Sequence, residues 1–271
     1  MQYEIEELGV GGILDRAVTL LKNHFGLLFG ITLVLLIPFS LLQSFVVLGL
    51  MPAVPVQPTP EELAAFGQVV AANSKWLIAV ALFTGLFVVP LTNAAIIQAV
   101  AKKYLNEPIS VGEAMKRSFG IVVPLLVTWM LQGLAILGGL ILLIIPGVIF
   151  AFWFMLSSHV VVIERQSGFE ALKRSKQLMK GNVNTVFVLG FLLAAIQYAI
   201  IFCAELVPQP HLKIVGQTFF QAISMIFSAS TMVVFYFSCR CKNENFDLTR
   251  LAEAVNRESH GEPASDSPYG E

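Results

Sequence analysis

Residues 118–163 read SFGIVVPLLVTWMLQGLAILGGLILLIIPGVIFAFWFMLSSHVVVI, without a single Asp, Glu, Lys or Arg. A helix crosses the hydrocarbon of a bilayer in about 20 apolar residues, so this run is roughly twice as long as one crossing needs. Ile145-Pro146-Gly147 divides it, because a proline inside a helix removes a backbone hydrogen bond and its ring collides with the preceding turn. The stretch therefore reads as two spans, 121–145 and 148–163, joined by a tight hairpin. Four further windows lack those charges, 23–60, 76–101, 181–204 and 214–239. The spans placed in them run 27–50, 76–101, 183–207 and 214–239. The predicted fold class is an all-α integral membrane protein of about six transmembrane helices.

Composition agrees. The chain has 271 residues of which 13% are charged, where a soluble domain carries about 25%. A net charge of −1 leaves no basic footprint for nucleic acid. Position matters more than the sum. Arg16, Lys22, Lys102, Lys103, Lys116, Arg117, Arg165, Lys173, Arg174, Lys176, Lys180, Arg240, Lys242, Arg250 and Arg257 fall on one side of the predicted spans, against only Lys75 and Lys213 on the other. Lys and Arg are retained on the cytoplasmic side during insertion, so both termini are expected in the cytoplasm and the protein in the cell membrane. The acidic start, with Glu4, Glu6 and Glu7, lacks the basic region of a signal peptide, and the first hydrophobic helix is expected to stay as an anchor. One helical membrane domain is expected over 1–257 and a disordered tail over 258–271. In the outer loop 52–75, prolines dominate the first half and Glu61–Phe66 reads as a short surface helix. Three scattered cysteines, Cys203, Cys239 and Cys241, fit no disulfide framework.

The loops repeat. Glu113-Ala-Met-Lys-Arg-Ser118 and Glu170-Ala-Leu-Lys-Arg-Ser175 differ at one position, and each precedes a pair of spans. Ile13 to Lys22 precedes the first pair in the same way. Amphipathic helices are predicted at 11–25, 110–119, 168–181 and 246–257, and the fold as three parallel repeats of interfacial helix plus membrane hairpin. Apolar residues at helical spacing, such as Ile13, Ala17 and Leu20 or Phe169 and Leu172, would lie in the headgroup layer with the cations toward phosphates. Lys116, Arg117, Lys173, Arg174, Lys176 and Lys180 are the candidate contacts to anionic headgroups. The acid Glu164 lies close enough to the basic helix to pair with it.

Motifs of catalysis are missing: there is no His-Glu-x-x-His, nucleophile elbow, P-loop or Cys-x-x-Cys. No metal, cofactor or catalytic residue is predicted, and the chain is expected not to be an enzyme. Gln217, Gln221, Ser224, Ser228 and Thr231 step along the last span at helical spacing and form one polar stripe. Such a stripe faces either neighbouring helices or a wet cavity. Asn93, Gln98, Gln132 and Gln197 are candidates to meet it in the interior. His159, in the fourth span, is expected to make a hydrogen-bonded helix contact.

From Ile144 to Gly181 the chain carries Ile-Ile-Pro-Gly-Val148, Val-Val-Val-Ile-Glu164, Gly168, Glu170 to Ser175 and Lys180-Gly181, and Gly12-Ile-Leu-Asp-Arg-Ala17 stands before the first span. These residues resemble the membrane domain attached to some bacterial glycerophosphodiester phosphodiesterases, and the related YciC-type multi-span proteins. The resemblance implies a helical domain of the bacterial cytoplasmic membrane. It does not bring the activity, since the hydrolytic barrel takes about 200 residues or more. The expected function is that of a non-catalytic scaffold or lipid-associated module, with anionic lipid as partner and a membrane protein as a further candidate; the alternative is a transporter or channel with a path lined by the polar stripe. On a background without native cysteines, single cysteines at Ser110 and Thr59 are expected to label from opposite faces of the membrane. Labelling of both from the same face would overturn the topology.

Overall fold

Every regular element is helical in the computed structural model, which describes residues 6–50, 59–207, 209–244 and 246. The proline run at 51–58, nearly all of the predicted helix 246–257 and the predicted tail 258–271 lie outside the described residues. The helices are α1 (Val10–Asn23), α2 (Phe25–Val34), α3 (Leu36–Leu50), α4 (Pro60–Phe83), α5 (Val89–Tyr104), α6 (Val111–Phe119), α7 (Val122–Leu142), α8 (Ile144–Trp153), α9 (Ser157–Glu164), α10 (Gly168–Met179), α11 (Val183–Glu205) and α12 (Pro210–Glu244). Among the described residues five stretches are long and apolar enough to cross a membrane: Pro60–Tyr104, Val122–Leu142, Ile144–Glu164, Val183–Ala204 and His211–Glu244. The first predicted span is present in two pieces, α2 and α3, and α1 meets α2 at 76°.

Three expectations are corrected. The predicted surface helix at Glu61–Phe66 is no separate element: α4 and α5 join through a π-helical turn at Thr84–Val88 into one helix of 45 residues. At 1.5 Å per residue that is about 67 Å, more than twice a bilayer core. Thr59 starts it with a capping box, its hydroxyl accepting from the Glu62 amide at 3.3 Å while Glu62 Oε2 accepts from the Thr59 amide at 2.8 Å. The π turn has a local cause. Pro90 has no amide to give to the carbonyl four residues back, so the turn before it widens, and Val89 N–H reaches Thr84 instead.

The hairpin does not turn at Pro146. α7 stops at Leu142, Leu143 is extended (φ −162°, ψ 150°), and Pro146 sits in the first turn of α8, where its missing amide costs nothing. Glycines let the arms touch: a Cβ on Gly139 would stand 2.8 Å from the Gly147 Cα. The third correction concerns the amphipathic helices, whose apolar faces pack on protein. Ile13, Ala17 and Leu20 of α1, Ala114 of α6, and Ala171, Leu178 and Met179 of α10 are all buried. Of the two apolar residues expected to face lipid from α10, Phe169 is exposed and Leu172 is buried.

The core gathers at one end of the bundle. The second half of α12, Met232 to Phe237, is buried, packed with α5, where Ala94 to Val100 are buried, and with α1 and α10. Towards the other end α4 contains no buried residue. Gly139→Ala is expected to destabilise the protein by about 1–3 kcal/mol through overpacking. Gly138→Ala, whose Cβ would meet open space, is expected to be neutral or to stabilise by up to about 1 kcal/mol. Reversible unfolding in mixed micelles measures both, and equal stabilities would refute the close glycine contact.

Candidate functional site

The stripe on α12 divides according to where its polar groups go. Gln221, Ser224 and Ser228 line a cavity of about 490 Å³, together with Asn93 of α5, His159 of α9 and Gln197 of α11. The Ser224 hydroxyl donates to Gln197 Oε1 at 2.6 Å, which leaves the Gln197 amide nitrogen as a donor. Leu36, Val89, Leu193 and Met232 supply part of an apolar wall. Thr231 is buried and donates back to the Phe227 carbonyl at 2.9 Å, so its hydroxyl is used inside its own helix. Gln217 is not among the lining residues.

His159 is 5% exposed, and neither ring nitrogen has a hydrogen-bond partner among the described residues. The expected helix contact is therefore absent: the imidazole packs at the wall of the cavity without bonding to a neighbour. Gln98 is buried with neither amide atom partnered among the described residues, and is not a lining residue of this cavity. Gln132 belongs to a separate space of about 280 Å³, lined also by Trp129, Gly133, Ile136 and Ser158. There Ser157 donates to Gln132 Oε1 at 2.6 Å and the Trp129 indole N–H to Ser158 at 2.8 Å. Consecutive residues of α9 thus serve two sides: Ser157 and Ser158 face α7, and His159 faces α5, α11 and α12.

One helical turn from the cavity along α12, and five residues along α9, the interior becomes ionic. Glu164 Oε1 and Oε2 accept from Arg174 Nε at 3.0 and 2.8 Å, and Oε1 also accepts from the Tyr236 hydroxyl at 2.6 Å. Arg174 pairs in addition with Glu244, which accepts from Arg240 Nε at 3.1 Å. The Arg240 guanidinium lies over the Phe246 ring, 3.9 Å from its centre. Burial draws Arg174 toward its neutral form, but its hydrogen bonds to Glu244 and Glu164 outweigh this and hold its pKa above the ordinary arginine value. Nearby, Leu8 N–H donates to Ser238 Oγ at 2.9 Å and Lys242 pairs with Glu7 at 3.1 Å, so the start of the described chain lies beside the end of α12.

The headgroup candidates divide too. Arg174 is spent in the network just described and Arg117 pairs with Glu113 at 2.7 Å. Lys116, Lys173, Lys176 and Lys180 are exposed, and Lys176 stands 3.9 Å over the Trp153 ring. The pairing of Glu164 with the basic helix was legible as proximity in sequence. Tyr236, Arg240 and Glu244 were not, since 72 positions separate Tyr236 from Glu164 and nothing local announces the contact. Among the described residues no group of three or more His, Cys, Asp and Glu is placed to hold a metal.

Fold and site together define an all-helical protein with several helices of membrane-crossing length around a polar interior. Residues 118–263, more than half of the chain, match the domain of unknown function DUF8558, and the chain belongs to that family. No curated protein and no solved structure matches it. The matched segment carries α7 to α12, and with them His159, Gln197, the stripe and the Glu164–Arg174–Tyr236 network.

Tyr236→Phe is expected to cost about 1.5–3 kcal/mol, the range for a hydrogen bond to a charged group. Arg174→Met is expected to cost more, because it strands Glu164 and Glu244 together. Chemical denaturation in micelles measures both, and a Tyr236→Phe protein as stable as the parent would show that the hydroxyl contributes nothing.

Proposed function

We propose that this chain is a non-catalytic multi-pass protein of the cell membrane that holds a small polar-headed ligand in the cavity between α5, α9, α11 and α12. In this reading it crosses six times as three parallel units, each an amphipathic helix followed by a hairpin, with both termini in the cytoplasm. One observation carries the binding role. Half of the polar lining, Gln221, Ser224 and Ser228, comes from the α12 stripe and faces open space, with Ser224 also bonded across to Gln197 of α11. A volume of about 490 Å³ is within the range of small-molecule sites, roughly 300–1,000 Å³.

Support for the repeat comes from equivalent positions. Ile13, Ala114 and Ala171 are each fully buried, as are Ala17, Ser118 and Ser175 four residues on. Arg16, Arg117 and Arg174, at matching places, pair with Glu6, Glu113 and Glu164. The orientation rests on the Lys and Arg asymmetry of the loops. The four exposed lysines Lys116, Lys173, Lys176 and Lys180, with the exposed rings of Phe119 and Phe169, suit an interface where cations meet phosphates and aromatic rings meet acyl chains. The likeness of Ile144–Gly181 to phosphodiesterase membrane domains belongs to the same proposal and rests on those residues. A transporter is the second reading, favoured by the same open stripe, and differs in requiring the ligand to leave on the opposite face.

In the cysteine-free protein in vesicles, Ser228→Cys is expected to react with a small polar thiol reagent, while Ala222→Cys, at a fully buried position off the cavity, stays unreactive. Equal inertness would remove the cavity reading. Replacing Lys116, Lys173, Lys176 and Lys180 by Gln should weaken retention of anionic lipid in a salt-dependent manner without changing Ser228→Cys labelling. Unchanged lipid retention would remove the headgroup contact.

A further inference from the structure

The polar wall of the cavity is chemically one-sided. Asn93, Gln197, Gln221, Ser224 and Ser228 carry dipoles without net charge, and no Asp, Glu, Lys or Arg is among the lining residues. These residues lie near the middle of the long apolar helices, in α5, α11 and α12. An isolated ion at such a depth costs several kcal/mol unless an opposite charge meets it. The nearest ionic groups described above, Glu164 and Arg174, already satisfy each other.

His159 gives the wall its direction. Its ring is almost wholly buried, lines the cavity, and has both nitrogens without a partner among the described residues. A buried polar group left unpaired costs about 1–3 kcal/mol. An imidazole presents one N–H donor and one acceptor nitrogen, and the Gln197 amide nitrogen, left over after Gln197 Oε1 accepts from Ser224, supplies a second donor. The complement of this set is an uncharged group that both accepts and donates, such as a hydroxyl beside a carbonyl. The rest of the wall, including Leu36, Val89, Leu193 and Met232, takes hydrocarbon.

We infer that the cavity binds an uncharged amphiphile, a hydrocarbon chain ending in a compact hydroxyl- or carbonyl-bearing head, and that His159 is the residue that recognises that head. This deepens the binding role proposed above and rests on it. Charged lipid headgroups are excluded from this site by the lack of a counter-charge, and belong at the lysines of α6 and α10.

The test uses three probes with a common eight-carbon chain, 1-octanoylglycerol, octyl phosphate and octylammonium, against the cysteine-free full-length protein carrying Ser228→Cys in nanodiscs. Octanoylglycerol is expected to protect Ser228→Cys from the thiol reagent in a saturable way, and the two charged probes to leave the labelling rate unchanged. Adding His159→Leu should weaken the protection about tenfold, the scale of one or two lost hydrogen bonds. Adding His159→Gln, which keeps a donor and an acceptor, should restore part of it. Equal protection by all three probes would overturn the neutral-ligand assignment while leaving the cavity as a binding site. Undiminished protection with His159→Leu would overturn the role of His159. If Ser228→Cys never labels, the underlying cavity reading fails instead. Should the Leu variant not fold, protection lost with His159→Phe and retained with His159→Gln carries the same decision.

Discussion

A backbone amide removed from water has to find an acceptor, and in this chain the acceptor is nearly always in its own helix. The positions of the prolines follow from that. Pro38, Pro60, Pro124, Pro146 and Pro210 each fall within the first three residues of a helix, where an amide has no intrahelical partner to lose. Where the chain must run on through a proline, as before Pro90, it does so by a π turn. Side-chain hydroxyls obey the same rule. Thr32, Thr92, Ser118, Thr128, Ser230 and Thr231 donate to carbonyls three or four residues back on their own helices. That uses up the donor proton, although the oxygen can still accept, as Thr128 does from the Gly168 N–H at 2.8 Å. The ones that escape, Ser157, Ser175, Ser224 and Ser238, join different elements.

The same constraint separates what was legible in the sequence from what was not. Charge-free windows overlap the five membrane-length helices among the described residues, because hydropathy registers the need to leave water. They could not show that the helix after Thr59 begins some 16 residues before its predicted span, since a helix that continues into a polar stretch leaves no hydropathic mark. A signal was present nonetheless: Thr59-Pro60-Glu61-Glu62 has the spacing of a capping box with proline at the first helical position. The turn signal Ile145-Pro146-Gly147 points to a hairpin turn at the proline, whereas a proline suits the first turn of a helix and the break falls before it, at Leu143.

The polar residues were half legible for a related reason. Helical spacing put Gln217, Gln221, Ser224, Ser228 and Thr231 on one stripe, but spacing cannot tell a hydroxyl that bonds its own carbonyl from one that faces a cavity. Nor can it tell which way α9 divides its residues. His159 follows directly on Ser157 and Ser158, yet the two serines meet Trp129 and Gln132 of α7 while His159 lines the other cavity. The candidates Asn93 and Gln197 reached the stripe, and Gln132 did not, because α9 stands between them.

That a cavity persists at all in a bundle of flexible apolar side chains needs a reason, since helices free to approach would close it. The reason lies one turn further along the same two helices. α9 and α12 frame the cavity through His159, Ser228 and Met232, and just beyond it Tyr236 on α12 bonds Glu164 on α9 at 2.6 Å. Arg174 then links Glu164 to Glu244, so that α9, α10 and α12 are tied by charged hydrogen bonds. Such bonds are directional and of fixed length, unlike apolar contacts, which slide. The dense end of the bundle, from Ile96 of α5 to Phe237 of α12, therefore sets the separation of the helices. The polar wall above it stands open because closing it would pull Tyr236 out of line with Glu164.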